Sequence, residues 1–127
     1  MLDTNAYSAW KRADSAVSAL IRSSTTLLIS PVVLGELISG YRRGSRYAAN
    51  MQELREFLAD IDVRVPPIGA ATADRYARVH EHLRGHGTPI PTNDMWIAAQ
   101  ALETGAELVS YDRHFRHVGG LAWLLPA

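Results

Sequence analysis

Short apolar stretches alternate with longer amphipathic stretches along the 127 residues of the chain. The segments typical of strands are residues 27–30, 62–67, 107–110 and 121–125, and residues 1–3 form a short apolar start. Apolar positions at helical spacing predict helices over residues 5–23, 30–44, 45–60, 69–84 and 92–104. Strands that alternate with helices favour an α/β fold with a central, mainly parallel sheet.

Residues with special backbone chemistry mark the ends of several predicted helices. Ser30 followed by Pro31 is a typical helix start, because the serine hydroxyl caps a free N–H and proline lacks one. Gly44 and Gly105 follow the last apolar positions of two helices, where glycine commonly ends a helix. The proline- and glycine-rich residues 85–91 indicate a loop. We find no linker, so we expect one domain over residues 1–127.

Composition excludes several classes of protein. The 13 basic and 13 acidic residues balance, so no overall field attracts nucleic acid. The chain has no cysteine, which rules out disulfides and thiolate chemistry, and we expect a cytoplasmic protein. No apolar run reaches the ~18 residues of a membrane span. The start of the chain also lacks the pattern of a signal peptide, so we expect no membrane association.

Four carboxylates stand where folding alone does not obviously require them. Asp3 and Asp112 follow predicted strands, at the ends where open parallel sheets bind ligands. Glu36 lies among apolar residues of a helix, where an unpaired carboxylate is costly. Each acid also has an ordinary alternative. Asp3 and Asp112 could be cap or turn residues, Glu36 could pair with an arginine such as Arg42, and the helix dipole would favour Asp94 in a first turn.

The position of Asp94 favours a site over a cap. Thr92 and Asn93 can already supply cap chemistry, and Asp94 shares a helix face with the apolar Ile97 and Ala101. If the four acids converge at one end of the sheet, their repulsion is on the order of several kcal/mol unless a cation intervenes. Ligands that are all oxygens select Mg²⁺ or Mn²⁺, and such a site can activate water and bind phosphate oxygens, so the implied reaction class is metal-assisted phosphodiester hydrolysis.

The stretches that carry the four acids are LDTN at 2–5, ISPVVLGELISG at 29–40 and PIPTNDMWIAAQALETGAELVSYDRHFRHVGGL at 89–121. Their order and spacing resemble the motifs of PIN-domain ribonucleases, specifically the VapC-type toxins of toxin–antitoxin pairs. The resemblance covers essentially the whole chain. It implies a PIN-like three-layer α/β/α sandwich in which Asp3, Glu36, Asp94 and Asp112 are catalytic and bind Mg²⁺ or Mn²⁺.

The same resemblance implies a metal-dependent endoribonuclease that acts on RNA as a toxin. It also implies a VapB-type antitoxin as partner, a homodimer, and a supporting polar role for Thr4, Asn5 and Ser110. Relatives usually carry several apolar residues before the first motif, whereas two residues precede Asp3 here. We therefore expect an unusually short first strand at the centre of the sheet.

Basic residues that follow Asp112 are candidates for contact with RNA phosphates. They are Arg113 and Arg116, together with His114 and His117. A solvated loop is an equally good interpretation of this segment.

Other enzyme classes fit less well, and two alternatives stay open. Phosphoacceptor domains and haloacid-dehalogenase-like phosphatases also place an aspartate after the first strand. Both of these classes typically use a lysine near the last strands, whereas the only lysine here is Lys11. A P-loop enzyme is excluded because the motif does not occur. The open alternatives are a PIN-fold RNA-processing nuclease that is not a toxin, and a non-catalytic PIN-like binding module.

Overall fold

The computed structural model describes residues 1–127 as six α-helices, four short β-strands and one 3₁₀ helix. The helices are α1 (Thr4–Lys11), α2 (Ser15–Arg22), α3 (Pro31–Arg43), α4 (Tyr47–Ala59), α5 (Ala70–Gly85) and α6 (Thr92–Thr104). The strands are β1 (Leu27–Leu28), β2 (Val63–Arg64), β3 (Leu108–Val109) and β4 (Trp123–Leu124). The 3₁₀ helix (Arg113–His117) lies between β3 and β4.

The strands form parallel pairs on either side of the start of the chain. β1 pairs with β2, and β3 pairs with β4. Leu2 joins the two pairs through parallel bridges to Ile29 and Val109. The resulting order is β2, β1, Leu2, β3 and β4, which confirms the predicted mainly parallel sheet. Leu2 is the bridging residue of this first strand, and Met1 and Asp3 also form backbone hydrogen bonds with Val109.

One hydrophobic core joins the sheet to all six helices: five of them contribute buried members, and α2 packs partly buried side chains against it. It contains Leu2 and Val109 from the centre of the sheet, and Tyr7, Leu37 and Ile97 from the surrounding helices. Burial of such side chains contributes about 1.5–3 kcal/mol each, which offsets the entropy lost in ordering the short strands. None of the helices combines the length and apolar character needed to cross a membrane.

The predicted helix over residues 5–23 is two helices. Ala13 has a left-handed backbone with a φ of 62°, which ends the first helical segment. Asp14 then caps α2 by accepting a hydrogen bond from the Val17 N–H at 3.0 Å. Periodicity does not reveal this break because both helices present an apolar face to the same core.

The predicted helix ends are largely confirmed. Ser30 accepts a hydrogen bond from the Val32 N–H at 3.0 Å and so caps α3. Gly105 ends α6 with a left-handed φ of 71°, a conformation that glycine adopts at little cost. Ile61 fits the apolar spacing of α4, but it lies beyond the last helical residue and is 89% exposed.

Candidate active site

A polar cleft opens where the central parallel strands end. Its volume is about 410 Å³, and eight of the nine residues that line it are polar or charged. The lining residues are Asp3, Thr4, Asn5, Glu36, Pro91, Thr92, Asn93, Asp94 and Asp112. The fold therefore brings together, from opposite ends of the chain, the four acids that the sequence singles out.

Asp3 is the most buried acid of the cleft, with 3% of its surface exposed. Its Oδ1 caps α1 by accepting a hydrogen bond from the Ala6 N–H at 2.8 Å, and its Oδ2 accepts one from the Ser110 hydroxyl. Burial raises the pKa of Asp3, while the bonds from Ser110 and Ala6 oppose that rise. Because a carboxylate oxygen can accept two bonds, the cap role leaves capacity for a further ligand.

Ser110 links two of the acids. While its hydroxyl donates to Asp3, its Oγ accepts a hydrogen bond from the Asp112 N–H at 2.9 Å. Ser110 is fully buried, so both bonds are shielded from water. This single side chain fixes the segment after β3 against the start of α1.

Glu36 projects from α3 and is held by side chains of two other helices. Its Oε1 accepts a hydrogen bond from the Thr4 hydroxyl at 2.7 Å, and its Oε2 accepts one from Asn93 Nδ2 at 3.4 Å. No arginine lies within ion-pair distance of Glu36. The alternative that Glu36 pairs with an arginine such as Arg42 is therefore wrong.

Asp94 lies in the first turn of α6, where free N–H groups favour its negative charge. The expected caps are wrong: Pro91 is the N-cap and no side chain bonds the helix start, whereas Thr92 and Asn93 lie within α6. Thr92 and Asn93 both line the cleft instead. The start of α6 is polar because it forms a wall of the cleft, while residues 97–101 are buried.

Asp94 and Asp112 of the cleft form a close group of ionisable residues with the adjacent His114. His114 Nε2 lies 3.0 Å from Asp94 Oδ2, and the three residues each place one potential ligand atom within 4.8 Å of the others. Burial raises the pKa of Asp94 to about 6, the imidazole of His114 opposes this rise, and Asp112, Glu36 and Asp3 add to it. The protein alone therefore compensates the negative charges only in part.

The remaining predicted residues lie in different environments. Asn5 lines the cleft beside Thr4. Arg113 and Arg116 are exposed on the 3₁₀ helix and do not line the cleft, so their contact with RNA stays a prediction. The sequence suggests phosphate contact for His114, whereas the structure places its ring against Asp94. Its position two residues after Asp112 is the one sequence signal that could have indicated this.

The donor set fits a divalent cation. Four carboxylates line the cleft and offer the oxygen ligands that Mg²⁺ and Mn²⁺ prefer, and burial, together with the neighbouring acids, raises the pKa of Asp94. His114 Nε2 is buried and makes no aligned hydrogen bond. The rings of His82 and His86 lie 4.2 Å apart and tilted at 35°, and neither residue belongs to the group of potential metal ligands.

A known protein family matches this parallel sheet with its acidic cleft. The family model described as PIN domain matches residues 1–121. The chain therefore belongs to the PIN-domain family. This result confirms the predicted three-layer α/β/α fold.

Within that family the chain is similar to VapC proteins. Ribonuclease VapC5 of Mycobacterium tuberculosis is 29% identical over 124 residues, which is 96% of this chain and 89% of the relative. Ribonuclease VapC2 of Rickettsia felis is 29% identical over 126 residues, covering 95% and 92%. The crystal structure of VapBC2 from Rickettsia felis, bound to a DNA fragment from its promoter, matches with a TM-score of 0.85 and 26% identity. That match covers 98% of this chain and 96% of the other, and the predicted VapC-type resemblance is confirmed.

Proposed function

We propose that this chain is a metal-dependent endoribonuclease that hydrolyses RNA phosphodiester bonds and acts as the toxin of a toxin–antitoxin pair. The observation that carries the proposal is the convergence of Asp3, Glu36, Asp94 and Asp112 on one polar cleft. The ribonuclease names of the similar VapC5 and VapC2 support the reaction class.

The four acids would together bind Mg²⁺ or Mn²⁺ in the cleft. Such an ion, when bound, supplies positive charge that favours ionised water as a nucleophile and stabilises negative charge on the phosphate. Asp94 would bind from α6 and Asp112 from the segment after β3. Thr4 orients Glu36, and Ser110 orients Asp3, so these two carboxylates are fixed before any ion arrives.

The charge of the cleft makes RNA binding dependent on the cation. Four clustered carboxylates repel a phosphate group, and the chain as a whole has no net charge to offset that repulsion. A bound divalent cation reverses the local sign. Arg113 and Arg116, which follow Asp112 in the chain, are the proposed additional phosphate contacts.

A VapB-type antitoxin is the proposed protein partner, because the similar Rickettsia felis structure is a VapBC2 complex. Co-expression of this chain with the product of an adjacent small gene, followed by co-purification, tests that proposal. The homodimer implied by the resemblance remains a prediction, which sedimentation of the purified chain would test.

RNA cleavage by the purified chain tests the enzymatic proposal. Total cellular RNA is incubated with the wild type in Mn²⁺, Mg²⁺ or EDTA, and in parallel with Asp94→Asn. Asp74→Asn is the matched control, because Asp74 is an exposed aspartate on α5 that pairs with Arg78. We expect cleavage that requires metal, that Asp94→Asn lacks, and that the control retains.

Two other results would favour one of the alternative functions. A folded wild type that cleaves no RNA with either ion would favour the non-catalytic binding module. Cleavage without growth arrest when the chain is expressed alone would favour an RNA-processing nuclease that is not a toxin.

A further inference from the structure

His114 is placed against the proposed cation site, although the sequence predicts a site of oxygen ligands only. Its Nε2 lies 3.0 Å from Asp94 Oδ2, and Asp112 brings a carboxylate oxygen within 4.8 Å of both. The side chain of His114 is 27% exposed, and its Nε2 is buried. The nitrogen is therefore at the inner end of the ring, beside the acids.

The contact between His114 and Asp94 is short but is not an aligned hydrogen bond. Nε2 has no hydrogen-bond partner, so the ring nitrogen does not point directly at the neighbouring carboxylate oxygen. Two ligands of one ion have this relationship, because each points at the ion rather than at the other. With bonds of ~2.1 Å in an octahedral site, adjacent ligand atoms lie ~3.0 Å apart. The separation of 3.0 Å between Nε2 and Oδ2 matches that distance.

The local fold holds the imidazole rigidly in this place. His114 belongs to the 3₁₀ helix, and its ring packs 4.7 Å from the ring of Phe115, which is 1% exposed. The start of the same segment is fixed by the bond from the Asp112 N–H to Ser110. Because the ring and the start of its segment are both held in place, the imidazole loses little conformational entropy when an ion binds.

We propose that His114 is a nitrogen ligand of the cation site, beside Asp94 and Asp112, and that it makes the site prefer Mn²⁺ over Mg²⁺. This inference rests on the proposed function, which requires the acids to bind a divalent cation. Imidazole is a good ligand for transition metals, whereas Mg²⁺ selects oxygen and keeps its waters. The same carboxylates without His114 would discriminate less between the two ions.

Spin-echo modulation of Mn²⁺ bound to the wild-type chain tests the nitrogen ligand directly. We expect a ¹⁴N modulation typical of a directly bound imidazole, which changes to the ¹⁵N pattern when the histidines are ¹⁵N-labelled. This measurement needs no variant, so it does not depend on whether a substitution disturbs folding.

Calorimetric titration with each ion tests the preference. We expect His114→Ala to weaken Mn²⁺ binding by about tenfold or more and to reduce Mg²⁺ binding much less, which lowers the Mn²⁺/Mg²⁺ ratio. His117→Ala, on the same 3₁₀ helix, is the matched control and should bind both ions as the wild type does.

The outcomes separate this inference from the proposed function. Mn²⁺ that binds without nitrogen modulation, or a His114→Ala variant that weakens both ions equally, would overturn the ligand role and leave the nuclease proposal standing. A wild type that binds neither ion would overturn both.

Discussion

Replacing Asp94 by asparagine should stabilise the metal-free protein above neutral pH. The substitution keeps the shape of the side chain and removes a charge that burial and neighbouring carboxylates disfavour. The pKa of Asp94 is raised from 3.8 to about 6 in the folded protein. Because the folded state binds this proton more tightly, stability falls as pH rises between these two values, and the full cost is present above the upper one.

The size of the effect follows from that pKa difference. A difference of about 2, at about 1.4 kcal/mol per unit, gives a cost of up to about 3 kcal/mol for the ionised carboxylate. Asparagine gives up an attraction to the start of α6 that is worth about 0.3–1 kcal/mol. The expected net gain is about 2 kcal/mol, or a rise of about 8 °C in melting temperature for a domain of this size.

Thermal unfolding in EDTA, followed by circular dichroism, measures this gain. The wild type and Asp94→Asn are compared at about pH 8 and again at about pH 4, where the difference should shrink because the wild-type carboxyl is protonated. Asp74→Asn, an exposed substitution, should change stability by less than about 0.5 kcal/mol. Adding Mn²⁺ should stabilise the wild type more than Asp94→Asn, because the variant lacks a ligand. A cost of the ionised Asp94 carboxylate is refuted if Asp94→Asn melts below the wild type in EDTA at the higher pH, or if its gain in melting temperature is equal at both pH values.

Three further substitutions test the supporting residues. Ser110→Ala leaves Oδ2 of the buried Asp3 without its donor, while Oδ1 keeps the Ala6 N–H, and should cost about 1–3 kcal/mol in urea denaturation; an unchanged midpoint would contradict this. Thr4→Val removes the shorter of the two hydrogen bonds that hold Glu36 and should reduce RNA cleavage by about tenfold or more at nearly unchanged stability, so full activity would argue against an orienting role. Gly105→Ala forces a side chain into a left-handed backbone and should lower the free energy of unfolding by about 1 kcal/mol, whereas a gain would show that the turn relaxes.

The elements that sequence predicts well are those with a strong local signal. Helix α6 begins and ends where predicted, because its apolar positions are regular and Gly105 provides a clear stop. Asp3 and Asp112 could be placed at the ends of strands because short apolar segments precede them. Parallel strands then carry both acids to the same end of the sheet, so their meeting follows from topology.

Features that depend on packing between distant segments escaped prediction. The break at Ala13 has no sequence signature, since alanine rarely adopts a left-handed backbone. The partners of Glu36 come from α1 and α6, and nothing near Glu36 in the chain indicates them. His114 meets Asp94 only because the 3₁₀ helix lies beside the start of α6, a position that the length of the segment does not determine.

The hydrogen bond between Ser110 and Asp3 joins residues that are 107 positions apart, and Leu2 bridges directly to Val109. During synthesis, a nascent chain that stops before β3 can hold Asp3 and Glu36 but lacks Ser110, Asp112 and the central pairing partner of Leu2. Incomplete products of translation therefore carry no assembled cleft. A protein whose proposed target is RNA would thus assemble its cleft only after the segment that carries Ser110 and Asp112 has been synthesised.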